Sequence, residues 1–190
     1  MTVRLPVIQG TLREGNETAV VADYTLERFR AHEEITSTLV NPGELGLGDL
    51  EMRLPKKDML GETERSFVET VEAADGFAIV TPEYNHGYPG ALKNVIDHIW
   101  EPWAHKAFGL VTVGGSVGGV RCEEQLRLVV NGGLNSQTVP RAVNVPHPAD
   151  MFTDEGPADP DTWESRFDQL AEQLTVYARA MREVRDELTE

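Results

Sequence analysis

Residues 81–90, TPEYNHGYPG, crowd two tyrosines, an asparagine and a histidine onto a turn shaped by two prolines and two glycines. Pro82 and Pro89 restrict the backbone, Gly87 and Gly90 permit sharp turns or close approach, and Asn85 brings amide donors and acceptors. So rigid a turn can offer peptide N–H and C=O groups to the edge of a flat heterocycle, with Tyr84, His86 and Tyr88 against its face. Taken singly, each aromatic is more commonly ordinary packing, and a lone histidine more commonly a hydrogen-bonded turn residue.

A second polar turn, GTLREGNET (10–18), runs into a helix pattern, and a helix N-terminus favours an anion. Thr11 and Thr18 add hydroxyls there and Arg13 a guanidinium. The glycine spacing is that of an incipient Walker A loop, but Asn16 and Glu17 stand where lysine and Ser/Thr are required. An alternative stays open: Thr18 caps the helix and Arg13 is a solvated charge.

A third turn, GGSVGG (114–119), satisfies G-x-S-x-G, the pattern of a hydrolase nucleophile at Ser116. Such a triad needs an acid and then a histidine downstream. His147 is the only later histidine, no aspartate intervenes, and Glu123 and Glu124 lie in the helix directly behind the serine. We therefore read these glycines as letting backbone approach a ligand. The histidines lack metal-ligand spacing, so no metal site is expected, and Cys122 reads as a buried structural thiol.

Those turns need strands and helices to hold them. VRLPVIQG (3–10), ITSTLVNP (35–42), GFAIVTPEY (76–84), AFGLVTVGG (107–115) and QTVPRAVNVP (137–146) read as strands, with Pro6 placed where no ladder bond is needed. Between and after them, helical stripes are marked by Ala22, Leu26 and Phe29; by Phe67, Val71 and Ala74; by Leu92, Val95, Ile96 and Ile99; by Cys122, Leu126 and Val129; and by Phe167, Leu170, Leu174 and Met181. Alternating strands and helices predict an α/β fold, a flavodoxin-like doubly wound five-stranded parallel sheet of order 2-1-3-4-5 with helices on both faces. Its switch point, between strands one and three, brings the first two polar turns into one crevice. The glycine- and leucine-rich segment 43–61 and the acidic stretch HPADMFTDEGPADPD (147–161) read as connections.

A chain of 190 residues suits one domain, 1–190. A formal charge of -15 disfavours nucleic acid and anionic membrane surfaces, since the densest basic spot is Lys56-Lys57. One cysteine precludes a disulfide framework, and no apolar run approaches the ~20 residues of a spanning helix, so a cytoplasmic protein is expected.

TPEYNHGYPGALKNVIDHI resembles the signature loop and helix of the NADPH-dependent FMN reductase family, which includes flavin-containing quinone, azo-dye and chromate reductases. GTLREGNETAVVADY is similar to that family's first loop, and GGSVGG stands where the family has its glycine-rich third loop. The resemblance implies FMN as cofactor and NADPH or NADH as donor. It places Thr11, Arg13, Asn16 and Thr18 around the FMN phosphate, Pro82, Glu83, Tyr84, Asn85 and His86 along the ribityl chain and ring, and Ser116 and Gly118 on the far side. Glu83 is expected to turn its carboxylate away from the anionic ligand. The flavin carries the chemistry at N5, so no catalytic residue is assigned, and the acceptor is a quinone, azo compound, metal oxyanion or free flavin. Relatives imply a homodimer or homotetramer, to which the aromatic segment 98–108 would contribute. The rival readings are an electron-carrying flavodoxin, which the acidity suits, and a serine hydrolase using Ser116.

Overall fold

The computed structural model describes residues 1–47, 60–153 and 155–189. Pro6 interrupts the first strand, giving β1 (Val3–Arg4) and β2 (Val7–Gln9), and the second is likewise split into β3 (Ile35–Thr36) and β4 (Leu39–Val40). Leu5 and Val7 on either side of the proline donate to the carbonyls of Thr36 and Thr38 at 2.9 Å each, so pairing continues across the gap. The remaining long strands are β5 (Gly76–Pro82), β6 (Ala107–Gly114) and β7 (Gln137–Pro146). They form a parallel sheet of order β4-β2-β5-β6-β7, which is the expected 2-1-3-4-5. Pro140 is tolerated because the register slips between Phe108 and Leu110, leaving residues 139–141 of β7 opposite one residue of β6.

Burial on both faces explains the near-continuous apolar runs of β5 and β6. One face is covered by α1 (Glu17–Ala31) and the 30-residue α6 (Pro160–Thr189), through Val21, Ala22, Phe29, Phe167, Leu170 and Leu174. The other is covered by α2 (Glu62–Ala73), α3 (Gly90–Asp97) and α4 (Val120–Leu128), through Phe67, Val71, Leu92, Val95, Cys122 and Leu126. Val130, fully buried, continues the Cys122–Leu126 stripe while Val129 packs partly buried beside it, and residues Val129–Gly133 form a π-helical turn. Trp103 is fully buried beside Phe77, with ring centroids 5.0 Å apart, and donates its indole N–H to the Ile96 carbonyl at 3.0 Å. Trp100 is 59% exposed.

The described residues of the stretch 147–161 carry regular elements where a plain connection was expected. It forms α5 (Pro148–Met151) and a small hairpin of β8 (Phe152–Thr153) and β9 (Gly156–Pro157). Phe152 drives this, packing its ring 5.3 Å from Tyr24 and 5.0 Å from Trp163. Asp154 and the pair Lys56-Lys57 lie outside the described residues. Among the described residues no helix is long and apolar enough to cross a membrane.

Candidate functional site

Strand β2 ends at Gly10, whose N–H donates to the Val80 carbonyl at 2.7 Å, so the following loop starts tight against β5. Thr11 is 2% exposed. Its Oγ1 accepts from the Arg13 N–H at 3.3 Å and lies 3.2 Å from the Tyr84 hydroxyl. The Arg13 guanidinium stacks on the Tyr84 ring, 4.4 Å from its centroid. These contacts tie the first loop to the second. Asn16, not Thr18, caps α1: its Oδ1 accepts from the Ala19 N–H at 2.8 Å and its Nδ2 donates to the Arg13 carbonyl at 2.6 Å. The Asn16 side chain is thus occupied by the helix. Thr18 is buried in the first turn, where the N–H groups of Glu17 and Thr18 have no partner within the helix.

The second loop is a two-residue hairpin turn. Tyr84 and Gly87 exchange N–H···O=C bonds of 2.8 and 3.1 Å, and Asn85 and His86 between them sit at φ 51° and 68°. Two consecutive left-handed residues define the type I′ geometry, which asparagine tolerates well and histidine adopts at a cost. Gln125 of α4 braces the turn by donating to the His86 carbonyl at 2.9 Å. Closing the turn leaves the N–H groups of Asn85 and His86 outside its hydrogen bonds. Glu83 turns its carboxylate onto the N-terminus of α4, accepting from the Arg121 and Cys122 N–H groups at 3.1 and 3.3 Å and from the Arg121 guanidinium at 3.1 Å. The N–H of Glu83 is committed to the Val113 carbonyl at 2.8 Å. Tyr88 is partly buried against the core beneath α2, α3 and α4.

Burial, reinforced by the charges of Glu83 and Glu123, pushes the Cys122 thiol up to about 12. The native protein will therefore give no reaction with a disulfide reagent near pH 8, whereas protein unfolded in guanidinium will release one thiol per chain; timed thiol titration measures both.

The third loop differs from expectation in what its glycines touch. Gly118 is buried at φ +64°, and a Cβ there would stand 2.9 Å from the Asn144 carbonyl carbon and Val145 nitrogen. Its freedom serves packing against β7 instead of the approach of a ligand. The Gly118 carbonyl accepts from Thr112 Oγ1 at 2.8 Å, and Asn144 donates to Thr112 and to Glu123. Glu123 is also paired with Arg127 at 2.7 Å. Among the described residues no hydrogen bond joins Ser116 to a histidine, and Glu123 behind it is held by Arg127 and Asn144, which speaks against the hydrolase arrangement.

Beyond the carboxyl ends of β2, β5 and β6 opens a cleft of about 480 Å³. Of the residues singled out in the sequence, Arg13, Asn16, Thr18, Pro82, Glu83 and Tyr84 line it, and Thr11 lies beneath. Asn85, His86, Ser116 and Gly118 are not on its wall. A fourth wall, His147, Pro148, Ala149 and Asp150, was missed. It is set by the His147 N–H donating to the Gly114 carbonyl at 2.9 Å and by His147 in a left-handed conformation, φ 43°. The signal was the Pro-His-Pro triplet directly after a strand, as turn-shaped as residues 81–90.

The profile of the NADPH-dependent FMN reductase family matches residues 3–150. The chain is 37% identical over 99 residues to an NAD(P)H-dependent FMN reductase of Schizosaccharomyces pombe, covering 52% of this chain and 48% of that protein. The match thus spans about half the length of that relative. It is 32% identical over 137 residues to a quinone reductase of Escherichia coli K12, covering 68% of this chain and 71% of that protein. Among solved structures, the flavoenzyme NAD(P)H:(acceptor) oxidoreductase of Paracoccus denitrificans superposes with a TM-score of 0.71 at 19% identity, over 93% of this chain and 99% of that one; at that identity the likeness speaks for the fold. With the switch-point cleft and its hairpin in place and the profile covering most of the sequence, the chain belongs to the NADPH-dependent FMN reductase family.

Proposed function

We propose that this protein is a single-domain, cytoplasmic NAD(P)H-dependent oxidoreductase that binds FMN in the cleft and passes electrons to a small acceptor such as a quinone, azo compound, metal oxyanion or free flavin. The observation that carries this is the junction of two loops at one crevice: Thr11 and Arg13, at the mouth of α1, are joined to Tyr84 of the hairpin. The cleft suits FMN chemically, with first-turn N–H groups, the Thr11 and Thr18 hydroxyls and a guanidinium at the phosphate end, and the rigid hairpin beside them. Bound FMN supplies hydride acceptance from the nicotinamide and electron delivery to the acceptor.

The residues do the rest. Arg13, Thr11 and Thr18 would hold the phosphate, with Asn16 acting through the cap that orients those N–H groups. Pro82, Glu83 and Tyr84 would line the ribityl chain. The flavin ring would reach past the cleft wall, where the N–H groups of Asn85 and His86, outside the turn's own hydrogen bonds, would hold negative charge on its edge and Ser116 and the turn closed by Gly118 would bound its far side. Turning Glu83 onto α4 keeps its charge off the ligand. A homodimer or homotetramer belongs to this proposal, since Trp100 and Leu128, 59% and 76% exposed, border a shallow apolar groove with Ile96 and Leu134. Sedimentation would return a monomer if that groove stays open to solvent.

The test is a titration with FMN followed by NADPH or NADH oxidation in the presence of a quinone. Quenched flavin fluorescence at micromolar protein and sustained turnover are expected. Lack of flavin binding overturns the proposal. FMN binding without pyridine-nucleotide turnover would instead favour an electron carrier, for which the charge of -15 offers docking on basic partners.

A further inference from the structure

Beside Tyr84, the ionisable side chains lining the cleft are Arg13, Glu17, Glu83, His147 and Asp150. The Glu83 carboxylate is neutralised by Arg121 and the N-terminus of α4. Glu17, the first residue of α1, and Asp150, on α5, are exposed, and among the described residues neither carboxylate has a hydrogen bond or ion pair. The same lining carries one guanidinium, Arg13, whose face is laid on the Tyr84 ring. The helix end is also weakened as an anion site, because Asn16 already takes the Ala19 N–H. A phosphomonoester carries close to two negative charges near neutral pH. A phosphate in this cleft therefore shares its lining with two unpaired carboxylates and one partly engaged cation.

We infer that Glu17 and Asp150 limit the affinity of the cleft for the FMN phosphate and keep FMN exchangeable, so that the protein takes up and releases the cofactor instead of holding it permanently. This rests on the FMN reading above. The same wall discriminates by charge: it weakens a phosphorylated flavin and leaves an unphosphorylated one untouched.

The experiment is a set of fluorescence-quenching titrations with FMN and with riboflavin on the full chain, Glu17→Gln, Asp150→Asn and the double variant, near pH 8. Either substitution should tighten FMN about three- to tenfold at low salt, and the double variant by roughly the product, because unit charges several ångströms apart through a wet cleft interact on that scale. Riboflavin affinity should not change. Raising KCl from about 0.05 M to about 1 M should tighten FMN on the unsubstituted protein, by screening the repulsion, and do so less in the double variant. Unchanged FMN affinity in all variants overturns the inference, as does an equal tightening of riboflavin, which would betray a change in cleft shape. If neither the full chain nor any variant binds either flavin, it is the FMN reading itself that fails.

Discussion

Gly10→Ala lowers FMN affinity by about a hundredfold, with the fold retained. A Cβ at this position would stand 2.4 Å from Thr81 Oγ1, 2.5 Å from Thr81 Cβ and 3.0 Å from Thr81 Cα. Retreat is blocked because the Gly10 N–H is bonded to Val80 on the same strand at 2.7 Å. The methyl group can be accommodated only by lifting the start of the loop off β5. Thr11 and Arg13 move with it, and their contacts to Tyr84 are what join the two sides of the cleft. Losing two phosphate contacts of about 1.5 kcal/mol each amounts to roughly a hundredfold in affinity, while overpacking itself costs about 1–3 kcal/mol, within the ~5–15 kcal/mol of a stable domain. Flavin titration and denaturant unfolding on one preparation separate the two effects. Thr81→Gly removes the two nearest atoms, so the double variant should regain most of the lost affinity. No recovery, or a single variant that binds as before, would show that this close approach does not place the loop.

Asp75→Ala should destabilise the protein by about 3–5 kcal/mol, the cost of breaking a buried ion-pair network by deleting one partner. Asp75 is 6% exposed at the end of the sheet opposite the cleft. It accepts from the Arg4 N–H at 2.8 Å, from Arg182 at 2.8 and 2.5 Å and from Arg185 at 3.2 Å, thereby fastening the last turns of α6 to β1 and β5. Burial pushes the carboxyl up, but the Arg182 hydrogen bond, the Arg4 N–H and the two guanidinium charges outweigh it and hold it below the usual aspartate range. Lys106 adds to the cost. Burial and the neighbouring Arg185 bring its ammonium down to about 8, and Asp75 is one of the charges opposing that shift. Removing Asp75 takes away the carboxylate that Arg182 and Arg185 share and one of the charges that favour the Lys106 ammonium. Because the folded carboxyl is the stronger acid, its contribution is complete above the ordinary aspartate range near 3.9 and is lost as pH falls through the lower folded value. Urea unfolding of both proteins between about pH 7 and pH 3 should show the gap narrowing at the acid end. A gap under about 1 kcal/mol at neutral pH, typical of an exposed pair, would show that the network is not worth its burial.

The fold was legible because its signals are local and repeated. Val-, Ile- and Phe-rich runs of five to ten residues, each followed by a 3.6-residue stripe such as Leu92, Val95 and Ile96, leave few arrangements other than a parallel sheet covered twice. Even Pro6 and Pro140 conform, one at a break and the other at a register slip. The π turn after Leu128 was not legible, since nothing in the spacing of Val129 and Val130 distinguishes one register from the next. Nor was the pairing of Phe152–Thr153 with Gly156–Pro157, which accompanies the packing of Phe152 on Tyr24, Trp163 and Phe167. An acidic composition concealed one apolar anchor.

The residue types of the cleft could be chosen from the sequence, because proline, glycine and asparagine declare the backbone shapes they suit, and strand order puts their loops at a common edge. What each side chain does there was decided by hydrogen-bond competition and packing, some of it local and some between distant segments. Asn16 looked like a ligand contact and is a helix cap, Gly118 looked like room for a ligand and is room for β7, and Glu83 is claimed by the N-terminus of α4. The wall from His147 to Asp150 exists because one backbone bond to Gly114 turns the chain back over α1. Local periodicity and turn chemistry act within a few residues and so can be read along the chain. Hydrogen-bond competition and close packing act between segments that only folding brings together, and they alone determine which polar groups are left to meet a ligand.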